Sequence, residues 1–338
     1  MLLLKDSPTP NNPKGNLECH MTRIVSFAAL VMASNFIAPS VEAQQKELRQ
    51  IQVNVFREDP AIVVGRLKNF FASEGLEVKV TRTANSTDQM RGLSNGTYQV
   101  ASTAFDNVLG WSGREGVELV AVSQIIDTAV FPVYVRPEIK QWSDLRGKKL
   151  AVDAVDTAFA LVLRKILLAK GLDFSRGDYE LIAVGNTPLR LESMKRGDTF
   201  AGILTPPVDT QAVAAGMIRL GDSSEVLPDF PNTIFAASRA WAQNQRPTLV
   251  SFLRSWLAAL AWIRANHDEA VNLTGAELKV NPKVAGELVG ELSTTGALNP
   301  AALERALSLR TQFGLTPPMG PDVAKYYDTQ YYRAAQGR

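Results

Sequence analysis

The chain has 338 residues, of which 46% are apolar and one is a cysteine. Its 36 basic and 34 acidic residues leave a formal net charge of +2, which argues against a strongly basic nucleic-acid-binding or membrane-surface protein. The length exceeds that of one average domain, so the composition predicts two lobes with substantial apolar cores.

The first 43 residues resemble a leader that is removed on export. From Met21, a basic Met-Thr-Arg start is followed by the mostly apolar run 24–38 and the small-residue pattern Val41-Glu42-Ala43. This order is typical of a secretory signal peptide over residues 21–43. Residues 1–20, rich in Pro and Asn, are interpreted as an over-long start. We therefore expect a soluble periplasmic protein that begins at Gln44.

The only cysteine, Cys19, precedes the predicted cleavage point. A mature chain from Gln44 onward then has no thiol, which excludes a disulfide framework, a cysteine-ligated metal and a thiol nucleophile. Cys19 also precedes the apolar run instead of ending it, so it does not predict a lipid anchor. We expect neither a metal nor a cofactor.

The first half of the mature chain alternates strand-like and helical segments. Strands are predicted at 51–56, 77–83, 98–103 and 119–123. Helices are predicted from Pro60 to residue 71, from Ser86 to residue 95, and at 105–111. Ser86 followed by Gln89 has the form of a capping box. With right-handed crossovers, this βαβαβαβ series would form one sheet.

A second series follows residue 137. A helical turn ends at Gly147, and a buried strand follows it. The later elements are predicted, in order, at 157–170, 179–184, 188–196, 201–204, 208–215 and 218–220. One further strand at 233–237 precedes a mostly helical C-terminal part. Its strongest helix, 247–266, has apolar residues at helical spacing, which indicates core packing rather than an aromatic ligand box.

Three segments resemble a known protein family. They are Trp-Ser-Asp-Leu-Arg-Gly-Lys-Lys-Leu-Ala-Val at 142–152, Gly-Thr-Tyr-Gln-Val-Ala-Ser-Thr-Ala-Phe-Asp at 96–106, and Ala-Ala-Leu-Ala-Trp-Ile-Arg-Ala-Asn-His-Asp-Glu-Ala at 258–270. In this order and spacing, they resemble the periplasmic substrate-binding proteins of ABC importers. The type is that of the nitrate, sulfonate, taurine and thiamine-pyrimidine-precursor binders.

The resemblance implies an α/β, two-lobed type 2 periplasmic binding protein fold. Each lobe would be a mostly parallel sheet flanked by helices, and two crossing segments would join the lobes. In this sequence the crossing segments would be 129–136 and 231–237. Residues 44–136 and 232–338 would then form the first lobe, and residues 137–231 would form the second.

Ligand-binding candidates follow from the expected parallel sheets. Ligands of open α/β sheets bind beyond the carboxyl ends of the strands, where helix N-termini offer unpaired N–H groups. The candidates at such positions are Glu58, Ser86, Thr103, Phe105, Asp106, Asn107, Asp156, Thr157, Thr205 and Pro206.

Several of these candidates also have a structural alternative. Asp156 or Thr157 could instead cap a helix, and Asp106 could stabilise a helix dipole. Residues 205–207 could stiffen the entry to a helix, and Glu58 with Asp59 could be solvated in a turn.

The loop that follows residue 152 contains acidic residues that bear on the charge of the ligand. Val155-Asp156-Thr157 stands where the anion binders of the resembled family commonly present Gly and Ser, and Asp153 lies close by. A carboxylate beside an oxyanion weakens binding through like-charge repulsion. The sequence therefore favours a neutral, heteroaromatic or partly cationic ligand, provided that Asp156 faces the cleft. On that basis, Asp156→Ala is predicted to weaken ligand binding without unfolding the protein.

We expect a binding protein that captures a small organic solute by hinge closure and delivers it to an ABC permease with its ATPase. We expect a monomer that is not an enzyme, is not inserted in a membrane and binds no nucleic acid. Two alternatives stay open. One is an exported enzyme of the pyrimidine-precursor-synthesis type that uses carboxylates, and the other is a ligand-sensing subunit.

The residues give the enzyme alternative little support. The mature chain has a single histidine, His267, which we interpret as a structural residue at a helix end. The sequence contains no Gly-x-Ser-x-Gly, His-Glu-x-x-His or phosphate-binding Gly-Lys-Ser/Thr motif.

Overall fold

A computed structural model describes residues 47–337 of the chain. The predicted start segment 1–20, the predicted signal peptide 21–43 and Cys19 lie outside these residues. The described residues fall within one compact unit that is built on two five-stranded sheets.

The helices and strands confirm the predicted elements to within a few residues. The strands are β1 (Arg49–Val55), β2 (Leu76–Arg82), β3 (Val100–Ala104), β4 (Leu119–Gln124), β5 (Val133–Val135), β6 (Lys149–Val152), β7 (Glu180–Ala183), β8 (Ala201–Ile203), β9 (Ile218–Gly221) and β10 (Thr233–Ser238). The helices are α1 (Pro60–Leu67), α2 (Phe70–Ser73), α3 (Ser86–Ser94), α4 (Phe105–Trp111), α5 (Ala158–Ala169), α6 (Thr187–Arg196), α7 (Val208–Ala214), α8 (Arg239–Asn244), α9 (Arg246–Ala265), α10 (His267–Leu278), α11 (Pro282–Gly290), α12 (Pro300–Gln312) and α13 (Gln330–Ala335).

The first sheet has the strand order β2-β1-β3-β10-β4. β1 pairs in parallel with β2 and β3, whereas β10 runs antiparallel to both β3 and β4. The first series therefore forms one sheet, as predicted, but a strand from more than a hundred residues later lies between β3 and β4. Ile234 and Phe235 of β10 are fully buried, because a central strand is covered on both faces.

The second sheet has the strand order β7-β6-β8-β5-β9. β6 is parallel to β7 and β8, and β5 is antiparallel to β8 and β9. β5 lies inside the predicted crossing segment 129–136 and already pairs with this sheet. A bridge pairs Thr128, just before the first crossing segment, with Pro231, the first residue of the second. The predicted lobe boundaries at 136 and 231 stay predictions.

Below, the first lobe denotes the first sheet with α1–α4 and α8–α13, and the second lobe denotes the second sheet with α5–α7. One apolar core runs through both lobes, and it includes Leu109 of α4, Leu161 of α5 and Leu307 of α12. Another core covers the opposite face of the first sheet. There Trp256 of α9 packs edge-on against Phe235, with 5.3 Å between the ring centroids. This packing confirms that the apolar stripe of α9 belongs to the core. Within residues 47–337, no helix has the length and apolar character that a membrane span requires.

Candidate functional site

A cavity of about 490 Å³ lies between the two lobes. Its volume falls within the range of small-molecule sites. The segments that follow β1, β3, β6, β7 and β8 line it, together with the first turns of α5, α6 and α7. This is the edge where ligands bind to open α/β sheets, because the strands end there and helix N-termini begin.

Six of the ten candidate ligand contacts meet at this cavity. They come from both lobes, and all but Pro206 carry a hydroxyl or amide group. The six are Ser86, Thr103, Asn107, Thr157, Thr205 and Pro206.

The other four candidates, Glu58, Phe105, Asp106 and Asp156, lie away from the lining that the described residues form. Phe105 is fully buried in the shared core. Glu58 is also buried, and it accepts a hydrogen bond from Arg66 Nη2 at 2.6 Å. The predicted solvated turn is therefore wrong for Glu58, because α1 packs its own arginine against that carboxylate.

Asp106 is in the first turn of α4, as predicted, but it faces a buried arginine instead of the cavity. It accepts a hydrogen bond from Arg310 Nη1 of α12 at 2.9 Å. Burial outweighs this attraction and raises the pKa of Asp106 to about 6. The absence of a side chain at Gly110 makes room for the pair, since a Cβ there would lie 2.6 Å from Arg310 Nη2.

Asp156 points out of the cleft. Of the two acids that were expected to repel an anionic ligand, only Asp153 therefore lines the cavity. Its side chain is 43% exposed and lies 3.6 Å from Arg114 Nη2. Its main-chain oxygen accepts a hydrogen bond from Arg310 Nη1 at 3.0 Å. In contrast to the expectation from sequence, we now predict that Asp156→Ala leaves ligand affinity unchanged. This variant is therefore a control for substitutions in the cavity lining.

A chain of hydrogen bonds crosses the cavity from one lobe to the other. Asn107 Nδ2 donates to Thr103 Oγ1 at 2.9 Å and to Ser86 Oγ at 3.1 Å. Ser86 Oγ in turn donates to Asp153 Oδ2 of the second lobe at 2.5 Å. Thr157 Oγ1 donates to Asp153 Oδ1 at 2.7 Å. Both oxygens of the buried Asp153 carboxylate are thus engaged.

Two helix starts make these hydroxyls available, contrary to the predicted capping roles. Asn85, not Ser86, caps α3, because the Asn85 side chain accepts from the backbone N–H of Asp88. Thr157 occupies the N-cap position of α5, but its side chain makes no capping hydrogen bond. The first-turn N–H groups of α5 therefore stay without a side-chain acceptor beside the cavity.

Further contacts join the lobes at the rim of the cavity. Asn186 Nδ2 donates to the main-chain oxygen of Thr83 at 3.1 Å, and the Asn186 N–H donates to that of Ala84 at 2.7 Å. Arg57 Nη1 donates to the main-chain oxygen of Pro206 at 3.1 Å, while its Nη2 pairs with Glu291 at 2.7 Å. The lobes therefore meet around the cavity in this structure.

Sequence reasoning missed most of the charged lining. Three arginines and three acids face the cavity, namely Arg57, Arg82 and Arg190 with Asp59, Asp153 and Glu291. The turn between β7 and α6, 184–186, also follows a parallel strand, so the rule that identified the other loops could have identified Asn186. Arg190 and Glu291 lie within or after helices, where the sequence gives no signal of a cleft.

Asp59 is a buried helix cap rather than the solvated turn residue of the alternative interpretation. Its Oδ1 accepts from the N–H groups of Ala61 and Ile62 and from Trp256 Nε1. Its Oδ2 is buried without a hydrogen-bond partner among the described residues. Burial outweighs the accepted bonds and raises the pKa of Asp59 from 3.8 to about 6.

This raised pKa predicts a pH dependence of stability. The folded state favours protonated Asp59, so its stabilising contribution is full below about pH 4 and is lost as the pH rises through about 6. Relative to Asp59→Asn, we expect the free energy of unfolding of the wild type to fall by on the order of 2 kcal/mol between these pH values. Urea unfolding of both proteins at pH 4, 5, 6 and 7 measures the difference. If the free energies of unfolding of the two proteins change equally with pH, the prediction is contradicted.

Two features bear on the enzyme alternative. Among residues 47–337, no group of three or more histidine, cysteine and acidic side chains is placed to hold a metal ion. His267 is exposed and does not line the cavity. It directly follows Asn266, the C-cap of α9, and begins α10.

Two sheets with an antiparallel strand in each and a cavity at the carboxyl ends of their strands define the periplasmic binding protein fold. Residues 60–270 match the family model described as NMT1/THI5 like, and the chain belongs to this family. No curated protein matches the chain significantly.

Solved structures share this fold at low sequence identity. A protein from Bordetella bronchiseptica RB50 is 24% identical, with a TM-score of 0.70 over 86% of this chain and 98% of its own. The alkanesulfonate-binding protein SsuA from Xanthomonas axonopodis pv. citri, bound to MOPS, is 14% identical, with a TM-score of 0.69 over 83% and 99%. The periplasmic nitrate-binding protein NrtA from Synechocystis PCC 6803 is 13% identical, with a TM-score of 0.71 over 86% and 89%.

Proposed function

We propose that this chain is the periplasmic solute-binding component of an ABC importer. The observation that carries the proposal is the cavity between the lobes, which polar side chains of both lobes line and hydrogen bonds cross. A small organic solute in this position contacts both lobes at once, so its binding energy favours the closed arrangement over an open one.

The proposed ligand contacts are Ser86, Thr103, Asn107, Thr157, Thr205 and Pro206, to which the structure adds Arg190 and Asn186 as candidates. The closed form would be presented to a permease and its ATPase, and the protein would act as a monomer. The predicted signal peptide supports a periplasmic location. The shared fold with an alkanesulfonate-binding protein and a periplasmic nitrate-binding protein supports a solute-binding role.

The direct test is to identify what the protein binds. Protein purified from periplasm is denatured, and the released solute is identified by mass spectrometry. A thermal-shift panel of organic solutes then ranks candidates. If neither method finds a small molecule that binds in the cavity, the proposal fails.

Thr157→Val tests the proposed site within the cavity. The valine keeps the shape of the side chain but removes the hydroxyl, so Asp153 loses a hydrogen bond at the cavity wall. We expect the dissociation constant of the best solute to rise about tenfold, since bonds to charged groups contribute about 1.5 to 3 kcal/mol. Isothermal titration calorimetry checks this result against Asp156→Ala. Equal affinities of the two variants would remove Thr157 from the site.

The same solute also separates binding from catalysis. It is incubated with the protein and analysed by mass spectrometry over time. Unchanged solute supports a binding protein, and conversion that depends on Asp59 or Asp153 would support the carboxylate enzyme instead.

A further inference from the structure

Arg190 of α6 lines the cavity with only 3% of its surface exposed. Burial lowers its pKa to about 10, so the side chain stays positively charged at neutral pH. A buried charge destabilises the protein unless a partner compensates it. The groups that can compensate Arg190 therefore indicate what the cavity can hold.

The hydrogen bonds of Arg190 go to uncharged acceptors. Its Nε donates to the main-chain oxygen of Ile203 at 3.1 Å, its Nη1 to that of Gly185 at 3.0 Å, and its Nη2 to Thr187 Oγ1 at 2.8 Å. A guanidinium has five N–H donors, so each terminal nitrogen retains one N–H beyond these bonds. Among residues 47–337, no carboxylate oxygen lies within 4.0 Å of the Arg190 guanidinium.

Asp153 is the acid whose charge acts on Arg190. Its two oxygens accept hydrogen bonds from Ser86 and Thr157, not from the guanidinium. Asp153 therefore offsets the charge of Arg190 from a distance and leaves the remaining N–H groups of Arg190 available.

The N-terminus of α5 lies at the same end of the cavity as Arg190. The Arg190 Cζ is 5.0 Å from the centroid of the Phe159 ring, and Phe159 is in the first turn of α5. Both Ala158 and Phe159 line the cavity, and no side chain caps this helix. Uncapped N–H groups at a helix N-terminus favour a negative group.

The rest of the lining combines polar side chains with apolar ones. Ile126 precedes the first crossing segment and Val130 lies in it, while Leu278 and Leu288 come from the C-terminal helices. The charged side chains of the whole lining balance one another, because three are arginines and three are acids. This arrangement suits a molecule that has one negative group and an apolar part.

We propose that Arg190 anchors a carboxylate of the ligand and that the ligand is a small monocarboxylate with an apolar body. A planar carboxylate can accept two N–H groups from one guanidinium, which makes this pair strong and directional. The inference rests on the proposed function, since it names the solute class of the same cavity. It replaces the neutral, heteroaromatic or partly cationic ligand that the sequence favoured.

Matched probes test the charge requirement without a substitution. Benzoate and hexanoate are compared with benzamide and hexanamide, which keep the shape and lose the charge, and with benzenesulfonate. Calorimetry is expected to show the carboxylates binding at least about tenfold more tightly than the amides and the sulfonate. Amides or sulfonate that bind as tightly as the carboxylates would overturn the inference.

Substitutions then test the role of Arg190. Arg190→Met is expected to weaken carboxylate binding about 100-fold, and Arg190→Lys about tenfold, because lysine keeps the charge but loses the paired donors. Arg196→Met is the control, since Arg196 ends the same helix and pairs only with the exposed Asp198. Melting of each variant without probe shows whether it folds. Should Arg190→Met not fold, the comparison of Arg190→Lys with the control decides.

The outcomes separate this inference from the proposed function. Binding of a neutral or cationic solute that Arg190→Lys leaves unchanged would overturn the inference and keep the solute-binding proposal. Failure of every solute in the panel to bind would overturn both.

Discussion

Asp106→Ala is expected to lower the free energy of unfolding at pH 7 by about 3 to 5 kcal/mol. The variant removes the carboxylate partner of Arg310, whose side chain is only 4% exposed. The guanidinium then stays charged in the shared core, and among residues 47–337 it retains only the main-chain oxygen of Asp156 as an acceptor. Urea unfolding followed by circular dichroism measures the loss.

Two further variants delimit this result. Glu192→Ala removes an exposed ion pair with Lys195 on α6 and is expected to cost less than about 1 kcal/mol. Asp106→Leu combined with Arg310→Met replaces both charges with apolar side chains, so it should recover much of the loss. If Asp106→Ala is no more destabilising than Glu192→Ala, the pair does not have the structural role that its burial indicates.

Ser86→Ala is expected to weaken solute binding about 10- to 100-fold. Ser86 Oγ joins the first lobe to Asp153 of the second and also accepts from Asn107. A hydrogen bond to a charged group contributes about 1.5 to 3 kcal/mol, and loss of this one favours separation of the lobes. The effect should appear mainly as faster dissociation, because the closed arrangement becomes less stable.

Stopped-flow dissociation with the best solute from the panel checks this expectation. Ser94→Ala is the matched control, because Ser94 ends the same helix and does not line the cavity. Equal dissociation rates for Ser86→Ala and the wild type would show that the hydrogen bond between the lobes does not hold the solute in place.

Some site residues were predictable because sheet geometry fixes where they lie. The carboxyl ends of parallel strands share one edge of a sheet, so Thr103 near the end of β3 and Thr157 after β6 were predicted to be near a ligand, and both line the cavity. The direction of each side chain was not predictable. Asp106 and Asp156 are in the predicted segments but face Arg310 and solvent, respectively.

Two residues show why the chemistry of the cavity needed the tertiary structure. Ser86 has the sequence context of a helix cap, yet its hydroxyl bonds to Asp153 because Asn85 takes the capping position. Arg190 has the sequence context of an exposed helical arginine, yet packing of α6 against the second sheet buries it. Local patterns contain no information about which helix face another element will cover.

The sequence by itself determined the α/β class, the order of strands and helices, and the family, because hydrophobic periodicity and short motifs are local properties of the chain. The tertiary structure decided the insertion of β10 between β3 and β4, the meeting of the lobes around a cavity, and the pairing of the buried charges. Those features depend on contacts between residues far apart in the chain. Their energies come from burial and from groups that become neighbours only when the chain has folded.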